Sequence, residues 1–125
     1  MIYQLEDKNV GIHFEIQPNL KLPMEQIISL GLIVNEVVSN SFKYAYIKRE
    51  NGTLLISINE INNTYLVEIK DDGPGIDKSE IDLSSLGLKL INLMSEQLKA
   101  EHIHTFNNDG VAHYFKFSLD HLNLS

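Results

Sequence analysis

The sequence predicts an α+β (α/β) two-layer sandwich, with a mixed, mostly antiparallel sheet that carries helices on one face. Three observations predict it. Short apolar–polar alternations mark strands in both halves of the chain. Two longer segments repeat their apolar residues at helical spacing. The order strand, helix, two strands, helix, two strands lets both helices pack on one side of one sheet.

The elements follow in chain order. Residues 11–16 alternate, with Ile12, Phe14 and Ile16 on one face, and read as a strand. Pro18 and Pro23 bracket a loop. A long helix is expected from 24 to about 46, its apolar side drawn from Ile27, Gly31, Val34, Val38 and Ala45. Residues 54–58 and 65–71 form two alternating strands joined by a turn at Asn62-Asn63. Residues 72–85, rich in Gly, Pro, Ser and Asp, read as a loop. Residues 86–100 form a second amphipathic helix, with Ser84 or Ser85 placed to cap it. Strands near 102–106 and 111–119 complete the sheet. Putting Ile103 on the face of Phe115 and Phe117 pairs Asn107 with Val111. Asn108-Asp109-Gly110 then becomes a three-residue loop ending in a left-handed glycine.

Length and composition bound the function. The chain has 125 residues, enough for one domain with one core, expected over 1–125 with that core at about 11–119. With 43% hydrophobic and 22% charged residues it has the balance of a folded globular chain. No apolar run approaches the ~18 residues that span a bilayer, and no signal-like segment opens the chain. The expectation is a cytoplasmic domain, or the cytoplasmic part of a membrane-bound sensor, with no direct membrane contact. The absence of cysteine excludes disulfides, thiolate metal sites and cysteine nucleophiles. A net charge of −7 repels polyanions, and Lys48-Arg49 is followed at once by Glu50, so nucleic acid is not an expected partner.

Three segments carry chemistry. On the long helix, Asn40 and Lys43 project at about +40° and −20° from Glu36, a polar stripe expected to lie opposite Val34 and Val38. An acid, an amide and an amine on one face suit a magnesium phosphate, although a solvated Glu–Lys pair has the same spacing. Asn40 is the informative member, because asparagine gains nothing in a helix unless its side chain is used. In Asp71-Asp72-Gly73-Pro74-Gly75, Asp71 shares the inward period of Val67 and Ile69. A buried carboxylate needs a donor, and the exocyclic amine of adenine is one. The glycines let backbone approach a flat ring, although an ordinary Asp-Gly turn reads the same way. In Ser84-Ser85-Leu86-Gly87-Leu88, free N–H groups at a helix start bind anions. No Gly-Lys-Ser/Thr or Gly-x-Gly-x-x-Gly accompanies it.

Together, in this order and at these distances, the segments resemble the GHKL superfamily of ATPases and kinases, whose Bergerat fold holds ATP between two layers under a lid. Asn35-Glu36-Val37-Val38-Ser39-Asn40-Ser41-Phe42-Lys43-Tyr44-Ala45 is similar to its N box, Asp71-x-Gly73-x-Gly75 to its G1 box, and Ser85-Leu86-Gly87-Leu88 to its G2 box. The likeness covers about 11–119. Lys43-Tyr44 and a short lid at 76–85 resemble sensor histidine kinases, closest to the branch with Asn-Glu in the N box and Ser-Leu-Gly-Leu in the G2 box. Ser85 stands where the commoner G2 form has glycine, and the acidic lid has no Phe-rich box and only Lys78 as a cation.

The resemblance implies a Mg-ATP-binding catalytic domain that transfers the γ-phosphate to a histidine on a separate helical dimerisation domain, with a response regulator downstream. Asn40, with Glu36, would hold Mg²⁺ and Lys43 the phosphates. Tyr44 and Ile76 would cover the adenine faces and Asp71 would take its amine. Glu36 would be the catalytic base. Gly73, Gly75, Ser85, Leu86, Gly87 and Leu88 would complete the nucleotide site. Two other readings share the fold: a free-standing anti-sigma-type serine kinase, and an interaction module that binds nucleotide without transfer. No histidine has the sequence context of a phosphoacceptor, and no dimerisation domain is expected within the chain, so self-phosphorylation is not expected. In the hairpin register above, His102 and His104 face out and His113 faces in. With His13 and His121 they read as surface and edge residues rather than a metal cluster.

Overall fold

Strand-forming runs pair into one sheet because each covers its apolar face with the helices between them. The computed structural model describes residues 2–5, 8–41, 51–73, 86–107 and 110–119. Along these run β1 (Ile2–Leu5), β2 (Lys8–Ile16), α1 (Met24–Asn40), β3 (Asn51–Ile61), β4 (Thr64–Asp71), α2 (Leu86–Leu98), β5 (Glu101–Asn107) and β6 (Gly110–Ser118). The sheet order is β1-β2-β3-β4-β6-β5. Only β2 and β3 are parallel among these neighbours, which requires the crossover that α1 occupies. The mixed, mostly antiparallel sandwich expected from the sequence is the fold observed.

The core lies between sheet and helices. Val10, Ile12, Leu54, Ile56, Tyr65, Val67, Ile69, Phe115 and Phe117 from the sheet meet Leu30, Ile33 and Val37 of α1 and Ile91 and Leu98 of α2. The Asn62-Asn63 turn holds both residues at positive φ, 52° and 66°, the geometry that matches the twist of two-residue hairpins. The loop before α1 is tied to the sheet by Tyr65, whose hydroxyl donates to the Lys21 carbonyl at 2.7 Å.

Five details depart from the sequence reading. β1 was not anticipated: its four residues are too few to display a period, and pairing with β2 recruits them. Phe14 and Ile16 continue the face of Ile12 but are exposed. The buried side of α1 is Gln26, Leu30, Ile33 and Val37, whereas Ile27 stays 49% exposed and Gly31 is exposed. At about 100° per residue the buried side is therefore turned by roughly 100° from the predicted one. Val34 and Val38 are half-buried at its margin. Ser41 keeps helical dihedrals, and the predicted continuation to 46 lies outside the described residues. The second helix stops at Leu98, not 100. Lys99 turns to φ 52°, with Ala100 N–H donating to the Ser95 carbonyl and Lys99 N–H to that of Glu96, a left-handed C-terminal motif.

The fifth departure has the largest consequence. Asn107 pairs with Gly110, not Val111, so the connection is two residues and the register slips by one. A one-residue slip turns every side chain of a strand over. Ile103 lies opposite Tyr114 and is 61% exposed, while His102 pairs with Phe115 and His104 with His113 on the helix-facing side. The expectation that His102 and His104 face out is overturned. The pairing of Asn107 with Gly110 shortens the connection and sets this register, where the apolar pattern of β5 alone does not.

Candidate functional site

The site begins at the C-terminal end of β4. The period of that strand turns Asp71 inward with Val67 and Ile69, and it is 5% exposed. Asp71 Oδ1 accepts the backbone N–H of Gly73 at 3.0 Å and of Val111 at 3.1 Å. Ser41 Oγ lies 3.1 Å from Asp71 Oδ2 and 3.1 Å from the Val37 carbonyl, so one hydroxyl proton serves two acceptors. Burial pushes the Asp71 carboxyl above its ordinary range, and the donors from Val111, Gly73 and Ser41 pull it back. The donor that the sequence reading sought in adenine is thus supplied in part by the protein. Oδ2, with a shared hydroxyl as its recorded partner, keeps acceptor capacity for a ligand amine.

The strand end around it is fixed. Asp72 Oδ1 accepts the Thr53 N–H at 2.9 Å, and Asp72 N–H donates to the Thr53 carbonyl at 3.3 Å. Gly110 packs so closely that an added Cβ would land on the Asp71 carbonyl oxygen, and its φ of +129° is one that side chains disfavour. Its glycine serves this close approach rather than the end of a loop.

The second half of the site lies between the helices. Glu36 and Asn40 are half-buried, and the start of α2 faces them. A Cβ on Gly87 would stand 2.7 Å from Glu36 Oε2 and 3.8 Å from Asn40 Oδ1. The polar stripe, expected opposite Val34 and Val38 and so away from the sheet, does not look away from the core. It lies about a quarter turn from the buried side of α1, directed at the first turn of α2. A carboxylate and a carboxamide oxygen converging there are hard donors of the kind that Mg²⁺ takes, so the residues fit that ion. The α2 start adds backbone N–H groups.

The structure thus brings Glu36, Asn40 and Gly87 together, and joins them through Ser41 to Asp71 and Gly73. Leu86 is exposed and Leu88 packs against the core. Lys43, Tyr44, Gly75, Ile76, Ser85 and the predicted lid lie outside the described residues. Sequence reasoning gave Ser41, Gly110 and Val111 no contact with Asp71. Ser41 had a signal, since it is polar and falls four residues beyond Val37 on the buried side of α1. Gly110 and Val111 contribute backbone atoms only, and no residue type announces that.

Residues 25–122 match the family described as histidine kinase-, DNA gyrase B- and HSP90-like ATPases. That match covers most of the chain, and the chain belongs to this family. Solved structures agree in fold. The histidine kinase domain of the Erythrobacter litoralis EL346 blue-light activated histidine kinase superposes with a TM-score of 0.79 at 23% identity, covering 88% of this chain and 52% of that one. A second structure of that blue-light activated kinase gives 0.82 at 21% identity, over 93% of this chain and 37% of that one. A mycobacterial sensor histidine kinase, MprB, gives 0.68 at 18% identity, over 87% and 81%. The chain spans about half, or less, of the two light-activated kinase structures it matches. No curated protein matches it in sequence. Among the described residues no helix is long and apolar enough to cross a membrane.

Proposed function

We propose that this domain binds Mg-ATP and is the catalytic domain of a two-component sensor histidine kinase, transferring the γ-phosphate to a histidine on a separate helical dimerisation domain. The observation that carries the reading is the buried Asp71 carboxylate, held through Ser41 to the helix whose Glu36 and Asn40 meet Gly87. Asp71 accepts the adenine amine. Guanine presents a carbonyl at that position, which a carboxylate repels. Asn40 and Glu36 hold Mg²⁺, which supplies neutralisation of phosphate charge. Lys43 and the N–H groups of Leu86, Gly87 and Leu88 take the phosphates, and Tyr44 and Ile76 cover the base. Glu36 also orients the attacking imidazole by accepting its second N–H, leaving the reacting nitrogen's lone pair free. Most of the acceleration comes from holding that nitrogen in line with the γ-phosphate, so the isolated domain lacks half of its site. A response regulator then takes the phosphoryl group.

Two measurements test this. By titration calorimetry Mg-ATP should bind and Mg-GTP should bind far more weakly, and equal affinities would remove Asp71 from adenine recognition. With radiolabelled ATP, the domain alone should not label itself, and a supplied dimerisation hairpin should gain an acid-labile label. The Glu36→Gln variant should keep ATP binding and lose that transfer. An acid-stable label on a partner serine would instead assign the domain to the anti-sigma kinases.

A further inference from the structure

The corrected register of the terminal hairpin gathers three imidazoles that the nucleotide site does not use. His102 and His104 of β5 and His113 of β6 lie on the helix-facing side, and one ring nitrogen from each falls within 4.8 Å of the others. His113 is buried, His102 half-buried and His104 exposed, so the group opens outward from the core. His102 Nε2 and His113 Nδ1 are 2.9 Å apart. Two imidazole nitrogens on one tetrahedral zinc stand about 3.3 Å apart, given Zn–N bonds of ~2.0–2.1 Å, so a few tenths of an ångström separate this pair from ligation. His104 sits across the ladder from His113, its ring tilted by 50° to that of His113 and by 49° to that of His102. Its ring plane thus differs from both of theirs, while one of its nitrogens lies within the same 4.8 Å group.

We propose that His102, His104 and His113 form a binding site for a divalent first-row transition metal of the zinc class, on the inner face of the β5–β6 hairpin. Imidazole donors suit zinc, copper, nickel and iron and do not suit the magnesium of the nucleotide site. Three protein ligands leave a fourth position, on the side that the exposed His104 opens to solvent. Burial first, and then the neighbouring imidazoles, hold His102 at about 4 and His113 at about 3. Both are neutral near pH 7, the form in which histidine ligates. The hydrogen bond between His102 and His113 places a proton where the metal would sit. On binding, that proton moves to the other nitrogen of its own ring, and no net proton is released from the pair. The ligands come from the edge strand β5 and from its neighbour, so the metal would clasp the sheet edge. Without metal the same rings serve as aromatic packing, with His102 stacked on Phe115 at 4.3 Å, which is the competing account.

The test uses the tag-free domain, stripped with a chelator, exchanged into chelator-free buffer and titrated with Zn²⁺ without nucleotide. One saturable equivalent and a raised thermal midpoint are expected, and Co²⁺ in its place should give the visible bands of tetrahedral nitrogen coordination. His104→Ala alters an exposed ring and should fold, and His113→Phe keeps an aromatic in the core. Each should weaken Zn²⁺ by at least the roughly 10- to 100-fold that loss of even an outer-shell partner brings. His13→Ala, whose ring is exposed 3.4 Å from Glu15 on β2, and Glu36→Gln should leave Zn²⁺ binding unchanged. The proposal is overturned by no saturable heat and no Co²⁺ bands at equimolar metal. It is equally overturned by binding that survives in His104→Ala and His113→Phe, or that disappears in Glu36→Gln.

Discussion

Asp71 shows how one residue serves both fold and ligand. Its folded pKa is raised, chiefly by burial. A carboxyl with a raised folded pKa contributes stability below its unfolded value of 3.8, and that contribution is lost as pH rises through the folded value. Near neutral pH the charged, buried form is thus a cost to the apo domain. Asp71→Asn retains a carbonyl oxygen for the Gly73 and Val111 N–H groups and turns an amide N–H₂ toward Ser41, whose oxygen can accept. Denaturant titration should find the variant as stable as the parent or more so at pH 7, with the difference shrinking toward pH 3.8. Its ATP affinity should fall by about 1.5–3 kcal/mol, the worth of a hydrogen bond to a charged group. A large loss of stability at pH 7 would make the carboxylate a structural clamp instead. The inward direction of Asp71 was legible from its period with Val67 and Ile69. Its protein donors were not, because two are backbone groups and the third is a serine brought from thirty residues away.

At the scale of elements, two glycines separate architecture from chemistry. Gly110 lies in β6 at φ +129°, with its α-carbon against the Asp71 backbone. Gly110→Ala meets backbone that cannot swing aside, so it should destabilise the domain by more than about 3 kcal/mol in denaturant titration. Gly87 lies in the first turn of α2, where the tight contact of a Cβ among the described residues would be the far end of the Glu36 side chain, at 2.7 Å from Oε2. Gly87→Ala should be neutral or gain up to about 1 kcal/mol of helix propensity, while its Cβ crowds the start of α2 proposed to take the phosphates and weakens Mg-ATP measurably by calorimetry. Equal effects of the two variants on stability would contradict this division. The strands and helices themselves were legible because their periods are written in residue type. The hairpin register was not: Ile103 looked like the core residue of β5, and an apolar residue on an edge strand is no guarantee of burial. Pairing of Asn107 with Gly110 turned it outward and brought His102 and His104 in.

Across the whole molecule, the nucleotide reading requires one ligand to touch both layers: Asp71 from the sheet, and Glu36, Asn40 and Gly87 from the helices. Ligand that binds only this assembled pair adds stability by mass action, about 2.7 kcal/mol at a hundredfold excess over Kd. For a domain of this size that raises the thermal midpoint by roughly 10 °C. Thermal denaturation should show that rise with Mg-ATP, a much smaller one with Mg-GTP, and little in Asp71→Asn at the same concentration. A midpoint that Mg-ATP leaves unchanged would show that the two layers do not share a ligand.

Sequence alone determined the class of fold, the inward carboxylate at the end of β4, the polar pair Glu36 and Asn40 on one helix, and the glycine at the start of the other. Each of these follows from local rules, namely the period of two, the period near 3.6, and the few residue types that suit a metal or an anion. Tertiary structure alone decided which side of α1 is buried, where the polar stripe points, and which face of β5 turns inward. α1 carries apolar residues on more than half of its circumference, so its pattern admits two orientations, and packing on the sheet selects the one that buries Ile33 and Val37. The stripe then swings toward α2 instead of solvent. Contacts between segments distant in the chain made the first two choices, and the register of the terminal hairpin made the third, which also placed three histidines side by side.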